Sequence, residues 1–105
     1  MPTITIDEII YTTSGSTASA TGYTSSILAN RTIQSSITID SVIYPVTSIG
    51  NTAFLNSTMT NITIPNSIIL IGTSAFQSCT LLNNVIIPNS VTTLFGIMHF
   101  INAQG

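Results

Sequence analysis

The chain has 105 residues, of which 44% are hydrophobic and 4% charged, where an ordinary soluble domain carries about 25% charge. Asp7, Glu8, Asp40 and Arg31 are its charged side chains, His99 is its one histidine, and lysine is absent. A single arginine cannot neutralise a nucleic-acid backbone. No apolar run reaches the roughly 18 residues of a spanning helix, so membrane insertion is not expected. The hydrophobic content is too high for a disordered chain, and so low a charge leaves little to keep copies apart, which favours association.

In chain order, Ile4-Thr5-Ile6-Asp7-Glu8-Ile9-Ile10-Tyr11 and Ile37-Thr38-Ile39-Asp40-Ser41-Val42-Ile43-Tyr44 echo one another. Each reads as a tight β-hairpin whose acidic residue enters the turn. Ser14-Gly15-Ser16-Thr17 is another turn signal, Thr17 to Tyr23 reads as a strand, and 24–36 reads as a loop. Residues 1–44 are therefore expected to form an N-terminal β-rich capping region, and residues 45–105 a set of repeats with a degenerate last unit.

The repeats align in register. Val46-Thr47-Ser48-Ile49-Gly50-Asn51-Thr52-Ala53-Phe54 is followed by Asn61-Ile62-Thr63-Ile64-Pro65-Asn66-Ser67. Ile68-Ile69-Leu70-Ile71-Gly72-Thr73-Ser74-Ala75-Phe76 is followed by Asn84-Val85-Ile86-Ile87-Pro88-Asn89-Ser90. Alternation puts Ile62 and Ile64, and then Val85 and Ile87, on one strand face, and proline ends each strand because it lacks the next ladder donor. Ile49 and Ile71 close a second short strand, and Gly50 and Gly72 are expected to allow a tight bend. A short helical turn should then carry Phe54, Phe76 and Phe100 into an aromatic spine. Ser57, Cys79 and Ala103 share one cramped position, and Leu82 completes the candidate repeat core. Each coil buries its apolar side only by stacking on a neighbour.

The run Ile-Pro-Asn-Ser, then Ile-Gly, Ala-Phe, Cys and Leu, over about 23 residues, resembles the BspA-type leucine-rich repeat. The resemblance covers about residues 42–103. It implies a mainly β fold, a leucine-rich-repeat-like β-solenoid with short helical turns and an N-terminal β-hairpin cap. It also implies adhesive or protein-interaction roles at a cell or particle surface.

Chemistry-bearing constellations are sparse. Cys79 and His99 could pair in principle, but no acid follows to orient the histidine, so Cys79 reads as core and the chain as no enzyme. Asp7-Glu8 reads as turn chemistry rather than a cation site, no ligand cluster suggests a metal, and no cofactor is expected. Asn30, Asn56 and Asn61 begin glycosylation sequons. The stacked pairs Asn66/Asn89 and Ser67/Ser90 read as side-chain hydrogen-bond ladders.

The C-terminal run holds Phe95, Met98, Phe100 and Ile101 with no charge, where a solenoid normally carries a polar cap. The degenerate unit either folds over as its own cap, docks through these four residues as the candidate assembly surface, or continues into a longer repeat array. The expected function is that of a structural repeat protein that self-assembles head to tail, as a homo-oligomer or polymer, in an extracellular fibre or particle surface. The alternative is a monomeric surface adhesin for a host protein or glycan. Either address is extracellular or at a surface, although the N-terminus shows no signal-peptide pattern.

Overall fold

A computed structural model describes residues 2–24, 28–79, 81–82 and 84–94, and for Leu28, Ala29 and Asn84 the backbone only. Ten strands follow one another: β1 (Thr3–Ile6), β2 (Ile9–Ser14), β3 (Thr17–Tyr23), β4 (Leu28–Thr32), β5 (Ser36–Ile39), β6 (Val42–Ile49), β7 (Thr58–Thr63), β8 (Leu70–Ile71), β9 (Asn84–Val85) and β10 (Thr93–Leu94).

Both hairpins form at the echoed motifs. Asp7 and Glu8 have φ of 50° and 71°, and Asp40 and Ser41 have 52° and 68°. Left-handed backbone at both central positions matches the right-handed twist of the flanking strands. The registers correspond: Ile6 faces Ile9 in β1–β2, and Ile39 faces Val42 in β5–β6. β3 then pairs antiparallel with β2. Tyr11 is fully buried, and its hydroxyl accepts the Gln34 amide at 2.9 Å.

From β3 onward the pairing turns parallel, and this builds a solenoid. One sheet runs β1-β2-β3-β6-β8-β10 with β5 on β6, and the other runs β4-β7-β9. Ala20 faces Ile49, which faces Ile71, which faces Leu94. On the other side Asn30, Asn61 and Asn84 are partners in successive strands, as are Arg31, Ile62 and Val85. The segment expected as a loop thus contains a strand. Leu28-Ala29-Asn30-Arg31-Thr32 lacks apolar alternation, and β7 supplies the partner that holds it extended. Parallel ladders accordingly reach back to β3 and β4.

The corner at 50–57 corrects one expectation, for it is not helical. Ala53, Leu55 and Ser57 donate their amides within the coil to Gly50, Thr52 and Phe54. The intervening amides of Thr52, Phe54 and Asn56 donate outward to Thr73, Ala75 and Gln77 of the next coil, at 2.8–2.9 Å. Past its first turn, a helix directs successive amides back to its own carbonyls four residues earlier. Here alternate amides bind the neighbour, which requires left-handed backbone at Thr52 and Asn56, and again at Ser74 and Ser78. Gly50 and Gly72 are not left-handed, so the corners do not use their conformational range, and small size is required only at Gly72, where a Cβ would meet Asn51 and Gly50.

The core lies between the sheets and these corners. Ile9, Tyr11, Val46, Ile49, Phe54, Met59, Ile68, Ile71 and Leu82 are essentially inaccessible. Tyr23, Phe54 and Phe76 stack as a column, with ring centroids 6.3 and 5.5 Å apart. At about 25 cal/mol per Å² of apolar area removed from water, such stacking between coils is the main favourable term for a chain with so little else to use.

Candidate interaction surface

Most of the motif residues are structural in position. Ile49, Phe54, Ile62, Ile64, Ile71, Phe76, Cys79 and Leu82 are buried, while Val85 and Ile87 are partly buried against the same core. His99, the run containing Phe95, Met98, Phe100 and Ile101, and Ala103 lie outside the described residues.

Cys79 is held by its surroundings. Its Sγ–H donates to the Phe54 carbonyl at 2.9 Å, and Ser57 Oγ lies 3.3 Å from the sulfur. Burial pushes the thiol above its ordinary range, an effect that the hydrogen bonds from Ser57 only partly oppose. The thiolate is the reactive form. The folded protein should therefore react negligibly with an aromatic disulfide reagent at pH 8, and stoichiometrically once denatured. Rapid reaction of the native protein would show that the corner is open. Because the folded-state value is raised, the thiol's contribution to stability is complete below the ordinary thiol range. It is lost as pH climbs through the raised value.

The outer side of the β4-β7-β9 sheet carries a surface groove of about 840 Å³, which runs over the ends of these strands and the Pro-Asn loops that follow them. Within its wall the Asn61 carboxamide donates to Asn30 Oδ1, and Asn84 stands next in register. This asparagine row escaped the sequence reading because Asn30 precedes Asn61 by 31 residues, a spacing stretched by the β5–β6 hairpin. Aligning Asn30-Arg31-Thr32-Ile33 with Asn61-Ile62-Thr63-Ile64 would have found it.

Arg31 also lines the groove. Its guanidinium is held by Glu8 through Nη2 and through Nε at 3.0 Å, and Nη1 donates to the Asn30 carbonyl at 2.7 Å. One of the few acids is thereby spent on the one arginine, so the groove is close to neutral. Thr32 and Thr63 are exposed partners on adjacent strands. Asn66 and Asn89 are exposed in successive loops, and Ile86 is 81% exposed.

The expected serine ladder takes another form. Ser90 Oγ donates to the Ile68 carbonyl at 2.7 Å, whereas Ser67 Oγ is buried without a partner among the described residues. Of the sequon asparagines, Asn56 sits exposed on a corner, while Asn30 and Asn61 bond to each other. Among the described residues no group of three His, Cys, Asp or Glu could hold a metal ion, and no helix is long and apolar enough to cross a membrane.

The BspA type leucine rich repeat region matches residues 5–102 in six copies. The fold is similar to that of a leucine-rich repeat protein from Bacteroides capillosus, at 27% identity and a TM-score of 0.78, covering 92% of this chain and 90% of that one. A leucine rich cell surface protein from Faecalibacterium prausnitzii is 29% identical with a TM-score of 0.74, covering 90% of this chain and 27% of that one. A leucine-rich repeat protein from Bacteroides ovatus is 34% identical with a TM-score of 0.73, covering 84% and 24%. The chain thus spans nearly all of the first and about a quarter of the other two. No curated protein matches the chain.

Proposed function

The chain belongs to the BspA-type leucine-rich repeat family, and we propose that it is a non-catalytic adhesive module at a cell or particle surface. In this reading the β4-β7-β9 face holds a host protein or glycan. The observation that carries it is the groove, an 840 Å³ concavity built on hydrogen-bonded strands and lined by side chains that recur from coil to coil. Sites on such strands are rigid, so little ordering cost opposes binding. The similarity to a cell surface protein supports the address, and the neutral, buried setting of Cys79 supports a non-catalytic role.

Ile86→Glu tests the face. The side chain is 81% exposed, so the variant should fold as the parent does. It should lose at least about tenfold in adhesion of the full chain, displayed on beads, to extracellular-matrix proteins or immobilised glycans. Unchanged adhesion would place the contact elsewhere.

A second reading is head-to-tail self-assembly into a fibre or particle-surface lattice. Leu94, in the last described strand, is 37% exposed although its ladder partner Ile71 is buried, and this exposed apolar side chain is what favours the reading. A heterologous contact that does not close makes a filament. This reading ranks second because the antiparallel β1–β2 hairpin ends the sheet at the other side, and that edge offers no parallel coil to receive it. Regular filaments in electron microscopy would reverse the ranking, and a uniform monomer on size-exclusion chromatography would confirm it.

A further inference from the structure

We infer that the β4-β7-β9 groove is built for an uncharged oligosaccharide, with Thr32, Thr63, Asn66 and Asn89 as its hydrogen-bonding groups and Ile86 as an exposed apolar contact. The inference rests on the reading of this face as the interaction surface, and it names the chemistry of what that face takes.

The donors and acceptors decide the class. A carboxamide offers two donors and an acceptor, and a threonine hydroxyl offers both kinds. Thr32, Thr63, Asn66 and Asn89 are exposed in or beside the groove, and a ligand made of hydroxyl groups, each donor and acceptor at once, can use all of them. A charged ligand finds no counter-charge, because the Arg31 guanidinium is already bound by Glu8. The net charge of −2 adds a weak bias against anions.

Spacing points the same way. Thr32 and Thr63 are partners on neighbouring strands, hence about 5 Å apart across the ladder. Asn66 and Asn89 occupy the same place after Pro65 and Pro88 in consecutive coils. Polar positions therefore recur between neighbouring coils, as Thr32 and Thr63 and as Asn66 and Asn89, with Ile86 in the threonine place of the third coil. A ligand that is itself a chain of similar polar units can use these recurring positions. Ile86, with Pro88 beside it in the lining, supplies apolar surface for the C–H face of a sugar ring.

An extended peptide fits less well. Peptides bind sheets by adding a strand to a free edge, but the strand at the middle of this face, β7, has β4 on one side and β9 on the other. Main-chain recognition there is already taken. The groove's arginine is already paired with Glu8, and its lining holds no aromatic side chain to anchor a peptide's own side chains.

The test is an array of neutral, sialylated, sulfated and uronate-containing oligosaccharides probed with the fluorescently labelled full chain. Titration of the best neutral glycan would follow, against the parent and against an Asn66→Ala/Asn89→Ala double variant. Both asparagines are exposed, so circular dichroism should be unchanged. Binding to neutral glycans that falls at least tenfold in the double variant is the expected result. Binding confined to acidic glycans, binding to none, or neutral binding indifferent to the double substitution would overturn the inference. If no glycan binds but a matrix protein does, in a manner lost with Ile86→Glu, the inference fails while the adhesive reading stands. If neither binds, both fail.

Discussion

Phe54→Ala should lower the unfolding free energy by about 3–5 kcal/mol, the cost of emptying a fully buried aromatic position. Phe54 has no accessible surface and stands between Tyr23 and Phe76 in the aromatic column. Its backbone serves two coils as well, because its amide donates to Ala75 at 2.8 Å and its carbonyl accepts the Cys79 thiol. Tyr23 is pinned beside it by a 2.6 Å bond from its hydroxyl to the Leu55 carbonyl, so that ring cannot swing freely into the vacancy. A domain of this length has a total stability of about 5–15 kcal/mol, so the loss is a large share. In a stacked array a weak corner also weakens the coupling between neighbours. Urea denaturation should show a midpoint far below the parent's, with a shallower transition if the coils begin to melt separately. Phe54→Leu, which keeps most of the volume, should cost distinctly less. A change below about 1 kcal/mol for the alanine variant would mean that the corner is not packed as described.

Gly72→Ala should destabilise by about 1–3 kcal/mol, whereas Gly50→Ala at the equivalent place one coil earlier should be nearly neutral. A Cβ on Gly72 would stand 2.5 Å from Asn51 Oδ1, 2.7 Å from the Asn51 nitrogen and 2.8 Å from the Gly50 carbonyl carbon. Two of those atoms are backbone, and the third is fixed by accepting the Thr73 amide at 2.8 Å. Relief would have to come from separating the coils, and the Gly72 amide ties them together by donating to Ile49 at 2.8 Å. At Gly50 the nearest atoms lie 3.5–3.7 Å away, which is ordinary contact. The difference has a topological cause. The coil preceding Gly72 brings its own Gly50-Asn51 corner beneath it, whereas the neighbour beneath Gly50 is β3, which contributes Ala20 and Thr21. Thermal melts should separate the two variants by about 4 °C or more, since 1 kcal/mol moves the midpoint of a domain this size by roughly that much. Equal melting temperatures would contradict the packing of that corner.

The proposed adhesive role and the proposed ligand of the groove rest on features that neither substitution touches. Phe54 and Gly72 lie at the corner between the two sheets, whereas Thr63, Asn66, Ile86 and Asn89 face outward from the β4-β7-β9 side. Stability variants and binding variants should therefore act independently, as well-separated sites generally do.

Local chemistry alone determined a good deal of this protein. Asp7-Glu8 and Asp40-Ser41 between alternating isoleucines specify two-residue hairpin turns, because few non-glycine residues accept left-handed backbone as readily as aspartate. The recurrence of Ile-Gly, Ala-Phe and Ile-Pro-Asn-Ser specifies a stacked repeat, since such apolar spacing can be buried only against a copy of itself. The near absence of charge limits what the surface can attract. Tertiary structure decided the rest. β4 exists because β7 lies beside it, as Leu28–Thr32 carries no periodic signal of its own. The corner at 50–57 is a run of turns rather than a helix because the amides of Thr52, Phe54 and Asn56 have partners in the next coil, which no single coil can announce. The need for glycine falls on Gly72 and spares Gly50, because only one of them has another corner packed under it. The groove likewise appears only after stacking, when Thr32 meets Thr63 across a gap in sequence lengthened by the β5–β6 hairpin. Turn geometry and periodicity are properties of neighbouring residues, whereas a groove and a clash are properties of distances between residues that only folding brings together.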